Sequence, residues 1–309
     1  MNHFEFFQKA KTVPYQKIDL PLLKKADVEL IVRRDDLLDA ELSGNKFYKL
    51  LFNLEEMKCK NFRRLLTFGG AYSNHIHATA AAGKRFGFDT IGLIRGEKTL
   101  PLNPCLADAV AWGMHIEYLS REDYKRRYNP DFQTFLQNKY DAYLVPEGGA
   151  NLQGAKGMQQ LGALIGEDLG DDFTSICLAS GTGTSLAGIA AGILETKPVY
   201  GFSVLKGAGS LARDVSHYFR LLKQNQNNYK ENWRLISGFH AGGYAKRHPL
   251  HLREFCTEFE MQTGILLDPV YTLKLFWGIC CLIQQGFWPK GSRIVAIHSG
   301  GLQGRRDFD

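Results

Sequence analysis

The sequence has no run of about 18 apolar residues, so no segment reads as a membrane-spanning helix. It starts MNHFEFFQKAKT, without the continuous apolar stretch of a secretory leader, and the chain is expected to be untargeted and cytoplasmic. Its six cysteines, at 59, 105, 177, 256, 280 and 281, never fall in a Cys-x-x-Cys spacing, which excludes the common zinc and dithiol motifs. Several sit inside apolar runs, so they are expected to be buried free thiols in a reducing compartment. The nine histidines make no metal-binding pattern, since His75 and His77 are two apart on a predicted helix and point to different sides. No metal site is expected. Internal repeats, low-complexity tracts and Pro- or Ser-rich linkers are also missing. Basic residues exceed acidic ones only slightly, 38 against 32 for a formal charge of +6, and they are scattered in short groups such as Lys125-Arg126-Arg127. That is a solvated surface with some bias toward anionic ligands, and no nucleic-acid partner is expected.

The 309 residues are 44% hydrophobic and 23% charged, the composition of a globular enzyme with room for two α/β domains. Strand-like segments occur at Val28–Arg33, Phe62–Phe68, Asp89–Ile94, His115–Leu119, Ala142–Pro146, Ser175–Ala179, Val199–Val204, Trp233–Gly238 and Arg293–Ile297. Amphipathic or small-residue helices lie between most of them. Such alternation predicts mainly parallel sheets covered by helices on both faces, with too many units for one sheet.

Three segments carry chemistry. In Ser43-Gly44-Asn45-Lys46 a lysine stands where a turn enters a helix patterned by Phe47, Leu50, Leu51, Leu54 and Met57. The positive end of the helix dipole disfavours its charged form, as a lysine nucleophile requires, although a solvated lysine is the commoner occupant of a helix start. In Ser180-Gly181-Thr182-Gly183-Thr184-Ser185 a strand turns into a small-residue helix, so backbone N–H groups, hydroxyls and the helix dipole converge on an anion such as a phosphate. The turn lacks the GK[ST] ending of a triphosphate loop and the third glycine of the dinucleotide fingerprint. A tight turn that needs glycine for steric reasons is the plainer reading. A bulky residue at Gly183 is expected to block approach of the phosphate while leaving the rest of the fold intact. In Thr67-Phe-Gly-Gly-Ala-Tyr-Ser-Asn-His75, Ser73 reads either as a helix cap or, with Asn74, as a hydroxyl and amide offered to a ligand.

Taken with Asp268-Pro-Val-Tyr-Thr272 and His298-Ser-Gly-Gly301, these segments in this order resemble the pyridoxal-phosphate enzymes of the tryptophan synthase β-subunit fold (fold type II). Within it the chain is most similar to the D-cysteine desulfhydrase and 1-aminocyclopropane-1-carboxylate deaminase family, over residues 10 to 304. The resemblance implies a small domain, 52–157, inserted in a larger cofactor-binding one made of 1–51 and 158–309, and a homodimer. It makes Lys46 the Schiff-base lysine. Gly181, Thr182, Gly183, Thr184 and Ser185 would hold the phosphate, their N–H groups substituting for an Arg or Lys clamp, and Asn74 would bond the ring hydroxyl. Ser73 would meet the substrate carboxylate or take part in proton transfer. Tyr271 would lie against the pyridine ring, with Tyr244 as a second pocket tyrosine; each has a simpler reading as a core aromatic. Glu147 stands in a predicted cleft wall where a small or apolar residue is expected, a departure that bears on the polarity of the entrance. The cyclopropane-opening branch has glutamate after the stacking tyrosine and leucine within the His-x-Gly-Gly segment. Here those places hold Thr272 and Ser299, as in the desulfhydrase branch, so the resemblance implies cofactor contacts in which hydroxyls offer the pyridine nitrogen only a neutral hydrogen bond. The implied reaction is β-elimination and deamination of a small D-amino acid, D-cysteine giving pyruvate, sulfide and ammonia. Cyclopropane opening, other lyase or β-replacement reactions on this fold, and cofactor binding without turnover are the alternatives.

Overall fold

Runs of β-branched and aliphatic residues too apolar to face water on either side belong in the middle of a parallel sheet. The computed structural model, which describes residues 3–42, 44–205, 209–224, 228–244 and 248–307, places them there. Its strands are β1 (Tyr15–Ile18), β2 (Val28–Arg33), β3 (Arg64–Gly69), β4 (Asp89–Arg95), β5 (His115–Leu119), β6 (Tyr143–Val145), β7 (Ser175–Ser180), β8 (Val199–Ser203), β9 (Trp233–Ile236) and β10 (Ser292–Ile297). They form a six-stranded sheet, ordered β1-β2-β10-β7-β8-β9, and a four-stranded sheet, ordered β5-β4-β3-β6. Every pairing is parallel except β1 with β2. The predicted strands all appear; β1 is the addition, an antiparallel edge.

Side-chain alternation along β7 and β10 divides the core of the larger sheet. Ile176, Leu178, Val295 and Ile297 join the layer containing Phe47, Leu50, Leu161 and Leu186. Cys177, Ala179, Ile294 and Ala296 join the opposite layer with Phe276 and Ile279. The smaller sheet likewise buries Leu66, Phe68 and Leu93 on one face, while Leu65 and Ile94 belong to separate apolar clusters.

One helix, Leu152–Leu169, joins the parts that matter for the site. It packs against helix Asn45–Cys59, which starts at the Lys46 turn, and helix Thr184–Gly192, which starts at the glycine cup. The approach is close because glycines meet backbone: a Cβ at Gly157 would lie 1.9 Å from Tyr48 O, and one at Gly192 2.0 Å from Gln159 O. Both helix starts are therefore fixed to a common support.

Three of the cysteines, Cys105, Cys177 and Cys280, are buried as expected; Cys59, at the end of its helix, is exposed, and Cys256 and Cys281 are half-buried. No helix among the described residues is long and apolar enough to cross a membrane.

Candidate active site

Gly44 has φ 63° and ψ −150°, a conformation reserved for glycine, and a Cβ there would lie 1.9 Å from the Ser299 carbonyl oxygen. The next residue's N–H, that of Asn45, donates to the same oxygen at 3.3 Å. Segment 298–301 and the start of the Lys46 helix are thereby in direct contact. The Asn45 side chain then reaches two ways: its Nδ2 donates to Ser185 Oγ (3.2 Å), and its Oδ1 accepts from Lys46 Nζ (3.1 Å). The lysine and the glycine cup, far apart in sequence, are one residue apart in space. Ser43 lies outside the described residues.

Burial lowers the Lys46 amine to about 8 against the attraction of the Asp268 carboxylate. Desolvation thus shifts the amine toward the neutral form, an effect the sequence reading assigned to the helix dipole. Asp268 itself is buried, which pushes its carboxyl up to about 7, while the Tyr271 and Thr272 N–H groups favour its charged form.

At the cup, β7 delivers Ser180, whose buried Oγ finds no partner among the described residues. Gly183 (φ 77°) caps helix Thr184–Gly192, and the Thr182 and Thr184 hydroxyls stand 3.2 Å apart. The outward direction at Gly183 differs from the sequence expectation. A Cβ there would meet Val215 Cγ2 at 2.8 Å and Leu211 Cδ1 at 3.2 Å, so a larger residue strikes helix Leu211–Lys223 instead of filling the cup. A Cβ at Gly181, by contrast, would meet the Tyr271 ring at 3.2 Å, which sets that ring over the cup.

Ser73 is the cap of helix Asn74–Phe86, its Oγ accepting from the His75 and Ile76 N–H groups at 3.2 and 3.3 Å. Its hydroxyl proton is not used in that cap. Asn74 accepts from Gln303 Nε2 at 2.6 Å, and its Nδ2 points at Gly301. Tyr271 and Tyr244 share a hydrogen bond between their hydroxyls at 2.9 Å. Tyr244 is 67% exposed and so belongs to the mouth of the cleft instead of the core. Its loop is braced by the fully buried Lys274, which donates to Gly243 O and to Val204 O. Glu147 accepts from Tyr124 (2.7 Å), Arg127 (2.6 Å) and Tyr128 (3.2 Å), so its charge is compensated within the wall. Thr272 is fully buried, and its hydroxyl accepts the Asp268 N–H at 2.7 Å. Ser299 contributes its carbonyl to the Lys46 turn.

Three groups here were not singled out from sequence. Lys49, one turn after Lys46, is 2% exposed and donates to Gly148 O (3.1 Å), while Gly148 faces Thr182 of the cup. Burial and the neighbouring Lys46 push its amine well below the usual lysine range, so it adds a buried amine donor, not a fixed charge, near the cup. His75 is buried with neither ring nitrogen partnered among the described residues, and its pKa is held well below the usual value by burial and by Lys46 and Lys49. His77, two residues on, faces Asp108 and Trp112 instead. Asp268 is the third. The Lys-x-x-Lys spacing was the available signal for Lys49; nothing local marks the others.

A largely buried amine, a cup of glycines and hydroxyls, an aromatic ring over that cup, and orphaned polar atoms at Ser180 and His75 are the groups a phosphorylated aldehyde would need. These donors fit pyridoxal phosphate. Comparison with known proteins agrees. The chain is 31% identical over 332 residues to the mitochondrial bifunctional D-cysteine desulfhydrase/1-aminocyclopropane-1-carboxylate deaminase of Arabidopsis thaliana, covering 95% of this chain and 77% of that protein. It is 32% identical to a putative 1-aminocyclopropane-1-carboxylate deaminase of Thermotoga maritima (92% of each chain) and 25% identical to D-cysteine desulfhydrase of Klebsiella pneumoniae (88% and 87%). Its fold matches the crystal structure of an ACC deaminase homologue with a TM-score of 0.83 at 24% identity, over 98% and 96% of the two chains. The family model for pyridoxal-phosphate dependent enzymes matches residues 13–300, and the chain belongs to that family.

Proposed function

We propose that this enzyme carries out β-elimination and deamination of a small D-amino acid, with D-cysteine as the main substrate. The observation that carries this reading is the convergence of Lys46, through Asn45, on Ser185 of the cup, with hydroxyl residues at 272 and 299. Lys46 is the residue that would join the cofactor. Gly181, Thr182, Gly183, Thr184 and Ser185 would hold its phosphate, Asn74 its ring hydroxyl and Tyr271 its ring face. When bound, the cofactor withdraws electrons from the substrate Cα and so acidifies its hydrogen.

The chain's own groups do the rest. The Lys46 amine, lowered to about 8 by burial, is the base that takes the Cα proton at Nζ. The Ser73 hydroxyl donates to the substrate carboxylate while its oxygen stays in the helix cap. The Tyr271 and Tyr244 hydroxyls, linked to each other, would offer a departing thiolate a hydrogen bond, while burial holds both phenols above their usual pKa so that they keep their protons and the proton for sulfide comes from water. Overall D-cysteine and one water become pyruvate, hydrogen sulfide and ammonia. A thiolate leaves readily because its conjugate acid has a pKa of roughly 8.5. The second reading, 1-aminocyclopropane-1-carboxylate deaminase, is favoured by Asp268, a buried carboxyl beside Gly301 and Asn74. On the family resemblance we also propose a homodimer and a small domain spanning 52–157.

Incubation with D-cysteine, L-cysteine, D-serine and the cyclopropane amino acid, followed by assays of keto acid, ammonia and sulfide, separates these readings. Sulfide from D-cysteine should dominate. Turnover of the cyclopropane substrate at an equal or higher rate would reverse the choice, and Thr272→Glu with Ser299→Leu should move the ratio in that direction.

A further inference from the structure

An asparagine amide has two ends of nearly equal shape and opposite chemistry, an acceptor oxygen and a donor NH2. A half-turn about its last side-chain bond exchanges them at little steric cost, so an asparagine that must donate in one direction needs a partner that forbids the exchange. At Asn74 that partner is Gln303, whose Nε2 donates to Asn74 Oδ1 at 2.6 Å. The opposite end of the amide faces the cradle left by Gly301 (φ 93°): a Cβ there would lie 2.5 Å from Asn74 Nδ2 and 3.0 Å from Asp268 Oδ2. The NH2 therefore looks into the site beside a carboxyl oxygen, where a donor belongs.

Gln303 is itself held from two directions. It lies in the short helical segment Leu302–Asp307, which is closed onto the glycine turn by Gly304 N–H donating to Gly301 O at 3.1 Å. Arg305 pairs with Glu260 (Nη2 to Oε2, 3.0 Å) and with Leu267 O (2.7 Å), on the side of the larger sheet. Arg306 pairs with Asp108, on helix Pro104–Ala111 beside the smaller sheet. A segment tied to both sides presents one glutamine amide to one asparagine.

We propose that Gln303 is a positioning residue for the cofactor site, fixing the Asn74 amide so that its NH2 faces the ring oxygen of pyridoxal phosphate. This rests on the reading of Asn74 as the partner of that oxygen. Gln303 touches neither substrate nor cofactor and acts through Asn74 alone.

The test uses four purified variants: Gln303→Glu, Gln303→Met, Asn74→Ala and the double variant Asn74→Ala/Gln303→Glu. Fluorescence titration with pyridoxal phosphate gives affinity, the visible absorption band gives the pH midpoint of the bound chromophore, and thermal melting gives stability. A carboxylate at 303 only accepts, so it draws the Asn74 NH2 to itself and turns the amide oxygen toward the ring oxygen. Gln303→Glu should lose about tenfold or more in affinity, the order expected for one charge-assisted hydrogen bond, and more than Gln303→Met. Its chromophore midpoint should move to higher pH, because an anionic ring oxygen without a donor holds its shared proton more tightly. In the Asn74→Ala background the glutamate should change affinity by no more than about twofold. The proposal is overturned if Gln303→Glu binds like the wild type while Asn74→Ala does not, or if all Gln303 variants, with and without Asn74, weaken binding only in step with melting. Wild-type affinity and spectrum in Asn74→Ala would instead overturn the reading of Asn74, and the proposal with it.

Discussion

Gly44→Ala tests the joint on which the site depends. The added Cβ would stand 1.9 Å from Ser299 O, 2.3 Å from Ser299 C and 2.7 Å from Gly300 N, all backbone atoms that no rotamer change can clear. Restoring an ordinary separation of about 3.5 Å requires one segment to move by more than 1 Å. Alanine also enters a φ/ψ region essentially closed to it, a strain of about 1–3 kcal/mol, and the Asn45 N–H bond to Ser299 O, worth about 0.5–1.5 kcal/mol, is lost with the displacement. The expected destabilisation is about 3 kcal/mol, a large fraction of the roughly 5–15 kcal/mol typical of a folded domain. Urea unfolding should show a lower midpoint at unchanged slope, and titration with pyridoxal phosphate should show weakened binding because Lys46 moves with the turn. A loss below about 1 kcal/mol together with unchanged cofactor affinity would refute the contact between the Lys46 turn and segment 298–301.

Three other outcomes follow from the same geometry. Because burial lowers the folded-state pKa of Lys46 to about 8, below its unfolded value of 10.5, a charged Lys46 opposes folding below pH 8 and this penalty disappears as pH rises to 10.5. Cofactor-free Lys46→Met should therefore exceed cofactor-free wild type in stability by roughly 1–3 kcal/mol at pH 7, with the gap closing by pH 10.5; a gap that does not depend on pH would contradict the burial argument. Tyr244→Phe removes the bond to Tyr271 from an exposed side chain, so melting should change by less than about 1 kcal/mol while sulfide production slows, and equal turnover would remove Tyr244 from the reaction. Gly183→Val should lower stability by about 2–4 kcal/mol through its clash with Val215 and its positive φ, measured by thermal melting; cofactor affinity lost without any loss of stability would restore the earlier picture of a side chain filling the cup.

Local pattern carried most of the architecture. Strands β7 and β10 are short continuous apolar runs followed by glycine turns, and such runs can be read without knowing their neighbours. β1 could not: Tyr-Gln-Lys-Ile at a sheet edge buries only Ile18 fully, and its pairing with β2 depends on contacts that no four-residue window contains. The cup and the Lys46 turn were legible because glycine and a helix start have local signatures, yet the direction of Gly183 was not, since it depends on where helix Leu211–Lys223 packs. His75, Asp268 and Gln303 gain their interest only from burial and from residues far along the chain, and Lys49 had no local mark beyond its spacing from Lys46. An amine, an imidazole or an amide has no sequence mark that distinguishes a solvated group from a desolvated one.

The strand order of the larger sheet has a consequence for biosynthesis. β10 lies between β2 and β7 and, of the ten strands described, is made last, so the two halves of the larger sheet have no central strand to join them until residues 292–297 have left the ribosome. The four strands of the smaller sheet are complete by Val145 and can assemble during translation, whereas the Lys46 turn reaches Ser299 only after β10 docks. The joint between the Lys46 turn and segment 298–301 therefore cannot close until that segment has emerged, although Lys46 and the cup have been made long before it.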